Sequence, residues 1–166
     1  MGKFKRTCSI NKKKISSKII WLTGQPGSGK TTLANHLKEK LEKDNPSKNV
    51  IIVDGDDLRD ITTNKDYSRK GREKNIRTAQ KIAQFLYNKK FIVLVALVAP
   101  YRNIRESLKK ECSVLECFLS TSEVRGREHF FAEDYEKPLD NYLDIDTGKY
   151  SIDDSVELIY QQLNDL

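Results

Sequence analysis

Residues 24–31 read Gly-Gln-Pro-Gly-Ser-Gly-Lys-Thr and follow the apolar run Ile19-Ile20-Trp21-Leu22. Leu33, Leu37 and Leu41 come next at helical spacing, so the octet joins a strand to a helix. Gly, four residues, then Gly-Lys-Ser/Thr is the phosphate-binding loop pattern. Its glycines let successive backbone N–H groups turn inward as an anion nest. The helix opening near Lys30 adds the positive end of its dipole. From there Lys30 can reach the β- and γ-phosphates, and the Thr31 hydroxyl can ligate Mg²⁺. A Gly-rich turn that matched by chance would leave the flanking strand and helix unexplained. Gly24, Gln25, Pro26, Gly27, Ser28, Gly29, Lys30, Thr31 and the adjoining Thr32 are therefore the expected site for a nucleoside triphosphate.

The net charge of +6 over 166 residues raises the question of a nucleic-acid partner. Seven of the basic residues and no acid lie in residues 1–18, which leaves the other 148 residues at −1. The folded part is thus close to neutral, and no nucleic-acid partner is expected. Residues 1–18 read as a basic, flexible leader with the sharper alternative of contact with an acidic surface, and residues 19–166 as one domain.

No signal peptide is visible, because the leader has no apolar h-region. The longest apolar run, Phe91 to Ala99, is nine residues and far short of a membrane span. Cys8, Cys112 and Cys117 form no Cys-x-x-Cys pair, which suggests free thiols in a reducing cytosol. His36 and His129 stand alone and read as surface helix positions. A cytoplasmic protein is expected, with a homodimer left open.

Apolar runs recur at 19–23, 50–53, 91–98, 114–119 and, more weakly, 142–145, with helical patterns between them. From Arg72 to Asn88, Ile76, Ala79, Ala83 and Leu86 share one helix face. The last segment opens with the capping pair Ser151 and Asp154 and then sets Val156, Ile159, Tyr160 and Leu163 on one stripe. Strands alternating with helices imply βαβ units, hence an α/β three-layer sandwich around a mostly parallel five-stranded sheet. Ligands in such sheets bind at the carboxyl ends of the strands.

Three clusters fall at those ends. The first is Val53-Asp54-Gly55-Asp56-Asp57-Leu58-Arg59. A carboxylate beside a phosphate loop can enter the Mg²⁺ shell or accept a proton from an attacking hydroxyl, whereas the plainer alternative is an acidic helix N-cap. The second runs from Asp66 to Arg77, with Arg72, Asn75 and Arg77 near the start of a helix that favours anions, or simply on a solvated basic face. The third is Val98-Ala99-Pro100-Tyr101-Arg102, a strand that breaks at proline and starts a helix.

Taken in order, these clusters resemble the adenylylsulfate kinase family. That family carries a Gly-x-x-Gly-Ser-Gly-Lys-Ser/Thr loop, then Asp-Gly-Asp-Asn-x-Arg, Phe-Ser-x-x-Asp-Arg-x-x-Asn-Ile-Arg and Ser-Pro-Tyr-Arg. The matching stretches here are 24–31, 54–59, 67–77 and 99–102, and Leu143-Asp144-Ile145-Asp146-Thr147 looks like the family's Leu-Asp-Thr strand end. The resemblance runs from about Ile19 to the C-terminus. It implies a P-loop kinase that moves the γ-phosphoryl group of ATP, with Mg²⁺, to a ribose 3′-hydroxyl of a small nucleotide. Asp56 would orient or deprotonate that hydroxyl and Asp54 would sit in the magnesium shell. Arg59, Arg72, Asn75 and Arg77 would bind the acceptor's charged groups, Tyr67 would stack on its base in place of a Phe, and Ile76, Ala99 and Pro100 would complete the pocket.

The chain departs from the family at Ala99, which replaces a serine, and at Gly71, which replaces an aspartate. The family's lid motifs, Lys-Gly-Leu-Tyr and Phe-Thr-Gly-Ile-Asp, have no match before Tyr135-Glu136-Lys137-Pro138. Arg125 and Arg127 are then the candidates to neutralise the transferring phosphoryl group, or else lie on a solvated helix face. One stacking face and a short lid should hold purines less well. The pattern is similar to a branch that phosphorylates cytidine diphosphoramidate during capsule phosphoramidate assembly. Cytidine diphosphoramidate is therefore the favoured acceptor, with adenylylsulfate the alternative and a non-catalytic nucleotide-binding module a third reading. A GTPase is set aside because Asn64-Lys65-Asp66 lacks the spacer of the guanine motif.

Overall fold

The computed structural model describes residues 18–165. The basic leader, including Cys8, lies outside them except for Lys18, which opens the first strand. Among the described residues no helix is long and apolar enough to cross a membrane. Five strands, β1 (Lys18–Thr23), β2 (Val50–Asp54), β3 (Ile92–Ala96), β4 (Val114–Ser120) and β5 (Tyr142–Asp146), form one sheet in the order β2-β3-β1-β4-β5. Every pairing is parallel. Parallel neighbours need crossovers, and α1 (Lys30–Asp44), α2 (Gly55–Ile61), α3 (Arg69–Asn88), α4 (Arg102–Lys109) and α5 (Ile152–Asp165) supply them or close the chain.

Side chains alternate across a strand, so β1 feeds two cores. Ile20 and Leu22 face Leu33, Leu37 and Leu41 of α1 and Ile159 and Leu163 of α5. Ile19 and Trp21 face Ile76, Ala79 and Ala83 of α3 and Ile104 and Leu108 of α4. The apolar spacing read along the chain is thus the packing of three layers. Cys117 of β4 sits wholly buried in the first core, and burial pushes its thiol pKa upward.

Two boundaries differ from the sequence expectation, each for a local reason. The run 91–98 pairs only over Ile92–Ala96, because β2 ends at Asp54 opposite Ala96 and leaves the next residues without a ladder on that side. Leu97 N instead donates to Leu22 O, and Val98 O accepts from the Thr23 hydroxyl at 2.7 Å. The helix expected from Arg72 starts at Arg69, where the Ser68 side chain caps Gly71 N. At the far end of the chain the Ser151 hydroxyl accepts from Asp154 N at 3.1 Å, as the capping pair foretold.

One buried ion pair ties α4 to the sheet. Arg105 Nε lies 2.6 Å from Glu116 Oε1, with both side chains almost fully buried and Lys109 also against Glu116. Such a pair is tolerated because the remaining guanidinium donors are matched: Nη1 reaches Ala99 O at 2.5 Å and Nη2 reaches Glu136 O at 2.6 Å.

Leu37 is fully buried between α1 and the sheet, whereas Ile61 is 79 % exposed. Leu37→Ala should lower unfolding stability by about 2–5 kcal/mol, the usual span for a core leucine. Ile61→Ala should stay within about 0.5 kcal/mol. Urea titrations of the two variants, compared at matched m-values, check the assignment of the core.

Candidate active site

A cavity of about 460 Å³ opens at the carboxyl ends of β1, β2 and β3. Its floor is the turn after β1. Gly24 adopts φ +151°, and a Cβ there would lie 2.2 Å from the Leu119 carbonyl oxygen. Only glycine can bring the chain this close to β4 and still turn back into α1. Pro26, Gly27, Gly29, Lys30, Thr31 and Thr32 then face the cavity. Gly24, Gln25 and Ser28 belong to the same turn but are not part of its lining.

Lys30 is curled onto the loop. Its Nζ donates to Gly24 O at 3.0 Å, Gln25 O at 2.8 Å and Ser28 Oγ at 3.3 Å. Burial lowers its pKa to about 8, against the pull of Asp54 and Asp56 and with a further push from Arg127. Across the cavity, Thr31 Oγ1 donates to Asp54 Oδ2 at 2.7 Å. The other carboxylate oxygen, Asp54 Oδ1, accepts from Asp56 N at 2.9 Å and so caps α2. The acidic turn is therefore a helix cap and a cavity wall together. A hydroxyl and a carboxylate held side by side fit Mg²⁺, which takes only one or two protein oxygens and completes its shell with phosphate and water. Asp56 points to the same space, is exposed, and has no hydrogen-bonded side-chain partner among the described residues.

The acceptor-side residues divide. Tyr67, Arg72, Asn75, Ile76, Ala99 and Pro100 line the cavity. Arg59 lines it too: Nη1 donates to Asn64 O at 3.0 Å and Asp66 O at 2.9 Å, and Cζ lies 4.2 Å from the Tyr67 ring centroid. It packs on one face of the Tyr67 ring. Arg72 spends only Nε, on Tyr67 O at 3.0 Å. Asn75 Nδ2 donates to Gly55 O at 3.3 Å and joins α3 to α2.

Arg77 does not join them. It lies on the exposed side of α3, above a shallow depression shared with Gln80, Lys81, Gln84 and Glu111. Two residues past Asn75 on a 3.6-residue helix, its side chain leaves on a different face. The expectation that Arg77 binds the acceptor is corrected by that geometry.

Gly71 is corrected as well. A Cβ at this position would lie 2.2 Å from Asp66 O and 2.5 Å from Asp66 Cγ. No empty space is left by a missing aspartate; the loop 64–68 folds over the position and its own Asp66 fills it. Asp66 Oδ1 accepts from Ser68 N at 2.8 Å, and the Ser68 hydrogen bonds lower the Asp66 pKa.

The two flap arginines have unequal roles. Arg125 Nη1 donates to Gly27 O at 3.1 Å and Thr147 Oγ1 at 3.2 Å, while Nη2 reaches Thr147 O at 2.9 Å and Glu123 Oε2 at 2.6 Å. It stitches the phosphate loop to the end of β5, a stitch that Thr147 Oγ1 repeats at Ser28 O. Among the described residues no hydrogen bond engages the Arg127 guanidinium, which stacks 5.4 Å from the Phe130 centroid beside Lys30. Phe130 itself lines the cavity and is a functional candidate that the motifs did not signal. Its only trace in the sequence is an aromatic pair, Phe130-Phe131, in an otherwise charged stretch.

A family profile described as adenylylsulphate kinase matches residues 16–145. The chain is 35 % identical over 172 residues to an adenylyl-sulfate kinase of Prochlorococcus marinus, covering 90 % of this chain and 85 % of that one. It is 31 % identical over 164 residues to a cytidine diphosphoramidate kinase of Campylobacter jejuni, covering 87 % and 95 %. The fold is similar to the Mycobacterium tuberculosis APS kinase CysC solved with AMPPNP and APS, at TM-score 0.75 and 22 % identity over 91 % of this chain and 99 % of that one.

With its pKa near 8, Lys30 of the ligand-free protein sheds its proton as the pH rises through 8. Polyphosphate favours the charged form, so ATP binding should raise this pKa and take up a proton between about pH 8 and 10. Calorimetric titration of ATP in buffers of different ionisation enthalpy should show uptake at pH 8.5 and almost none at pH 6.5. The Lys30→Met variant should abolish the difference.

Proposed function

We propose, on the premise that this chain belongs to the adenylylsulphate kinase family, that it phosphorylates the ribose 3′-hydroxyl of a small nucleotide, with cytidine diphosphoramidate as the favoured acceptor. The family membership makes it a phosphotransferase acting on a hydroxyl. The observation that carries the reading is the convergence of Lys30, the Thr31–Asp54 pair and the unpartnered Asp56 on one cavity with the Tyr67 platform.

In this reading the phosphate loop receives the triphosphate of ATP, and Lys30 turns from the loop carbonyls to the β- and γ-phosphates. Thr31 and Asp54 would hold Mg²⁺, which when bound supplies neutralisation of phosphate charge. Tyr67 stacks the acceptor base, and Phe130 approaches from the flap to offer a second apolar surface. Arg72 turns its free Nη groups on the acceptor's anionic bridge. The 3′-hydroxyl then lies against Asp56, which takes its proton as the phosphoryl group arrives. Arg127 meets the charge that builds on the transferring group, in a site where a fixed cation acts without reorganising.

Two features favour the cytidine acceptor. The first is the short flap before Tyr135, and a cytidine diphosphoramidate kinase is among the relatives. The acceptor wall also shows Ala99 where the family has a hydroxyl, with its backbone at φ +42° and its carbonyl held by Arg105. The higher identity to the Prochlorococcus enzyme favours adenylylsulfate as the second reading. Phe130 adds weight to it, because a second aromatic face suits a purine.

Purified protein with ATP and Mg²⁺ should show a higher kcat/KM for cytidine diphosphoramidate than for adenylylsulfate. A preference for adenylylsulfate overturns the acceptor and keeps the kinase; no turnover of either overturns both. Asp56→Asn should lower kcat by roughly 10²–10⁴ with ATP affinity unchanged, the span typical of a lost general base. A larger kcat loss in Asp54→Asn at saturating Mg²⁺ would exchange the roles of the two aspartates.

A further inference from the structure

Gln25 stands at the second position of the phosphate loop, where the motif demands no particular residue. Its side chain runs away from the cavity to residue 132. Gln25 Nε2 donates to Ala132 O at 2.9 Å, and Gln25 Oε1 accepts from Ala132 N at 2.9 Å. One carboxamide thus satisfies both backbone groups of a residue 107 positions away, as a neighbouring strand would.

The residue before Gly24 holds the same segment. Thr23 Oγ1 gives its proton to Val98 O and lies 2.7 Å from Tyr135 Oη, so the phenol is the donor of that second bond. Burial pushes the Tyr135 pKa up to about 12, which keeps the proton in place. Glu136 N donates to Pro100 O at 2.8 Å, and Arg105 holds Glu136 O. Residues 132–136 are therefore a strap fastened to the end of β1, the phosphate loop, Pro100 and Arg105.

Upstream of Ala132 the chain is different. Val124 is 87 % exposed and Phe130 45 %, and Gly126 takes a left-handed turn with nothing within 4 Å. This flap touches the phosphate loop through Arg125 on Gly27 O at one end and through Ala132 on Gln25 at the other. Arg127 and Phe130 lie between the two ties.

We propose that Gln25 is a positioning residue: by tying Ala132 to the phosphate loop it sets where Arg127 and Phe130 stand over the reacting groups. The inference rests on the phosphoryl-transfer reading above. The flap is a bridge whose two piers are both on the loop that binds ATP. Loss of the Ala132 pier moves the next fixed point downstream to Tyr135 and Glu136, so the span that carries Arg127 and Phe130 lengthens and the cation and the aromatic lose their common register. Phosphate binding itself is spared, because the loop N–H groups and Lys30 do not depend on the Gln25 carboxamide. A glutamate at this position keeps the size, but sets a second anionic oxygen against Ala132 O, and that repulsion drives the side chain off both backbone groups of Ala132. It should be no better than an apolar residue.

Gln25→Met removes both bonds at similar length. Its kcat should fall roughly tenfold and its acceptor KM should rise, the order expected for two lost hydrogen bonds that act in the transition state. Its ATP dissociation constant should stay within about twofold of wild type. Gln25→Glu should lose as much or more, and it serves as the second variant should the methionine protein fold poorly. Amide hydrogen exchange at Ala132, read without any acceptor present, should speed up in both variants while β1 and β3 keep their protection.

Unchanged exchange at Ala132 overturns the tie, whatever the acceptor proves to be. Faster exchange with kcat and acceptor KM unchanged overturns the positioning role. A loss carried wholly by ATP affinity overturns it in favour of a direct part in phosphate binding. If wild-type protein turns over neither acceptor, the phosphoryl-transfer reading fails, and Arg127 and Phe130 have no reacting groups to be placed over; the exchange arm still reports whether the tie exists.

Discussion

The parallel pairing of β1 with β3 on one side and β4 on the other sets the level at which every loop of the reacting end begins. Leu22 stands opposite Ala96 and Cys117, and Asp54 stands opposite Ala96 on the far side. The phosphate loop, the acidic turn and the Ala99–Pro100 wall therefore leave the sheet within one residue of the same height. Slippage by one residue would invert every side chain of β1 between the two cores, so the register is enforced by Ile19 through Leu22 themselves. A site assembled from segments far apart in sequence gains its rigidity from that ladder.

On this frame the charges fall into two groups. Arg105 and Arg125 are bound up in carbonyl and carboxylate contacts through every guanidinium nitrogen and serve as struts, and Arg59 spends Nη1 in the same way. Arg72 and Arg127 retain donors that can turn to an anion, Lys30 can exchange its three loop acceptors for phosphate oxygens, and all three line the same cavity. Guanidinium suits the first task because its planar fork meets several carbonyls at fixed angles. It suits the second because the same fork spans two oxygens of a phosphate. Identity of residue alone does not tell the two apart.

That distinction marks the limit of what the sequence reveals here. The parallel sheet, the two-sided core and the phosphate loop were legible, because each depends on periodicity or on a spacing within ten residues. That Lys30, Thr31, Asp54 and Asp56 come together at the carboxyl end of the sheet was legible for the same reason. Arg77 was misread because the motif that contains it does not state on which side of α3 it leaves. The structural contacts of Arg59 and Arg125 were not legible, because their partners, Asp66 O and Thr147 O, are backbone atoms that no side-chain pattern records. Phe130 and the Gln25–Ala132 pair rest on contacts across more than a hundred residues, set by how the flap folds back. Gly71 stood out only as a departure from the family, and the approach of Asp66 shows why glycine is required there.

Cys117 lies at the centre of all this, on β4 beside Leu22 of β1, with no exposed surface. A thiol reagent needs both access and a thiolate, and burial withholds both. The side chain can react only when β4 parts from its neighbours, an event that also dismantles the phosphate loop resting on Leu119 O. The protein thus carries an internal clock: the rate at which that sulfur is modified counts the openings of the whole molecule, and motions of the flap alone leave it silent.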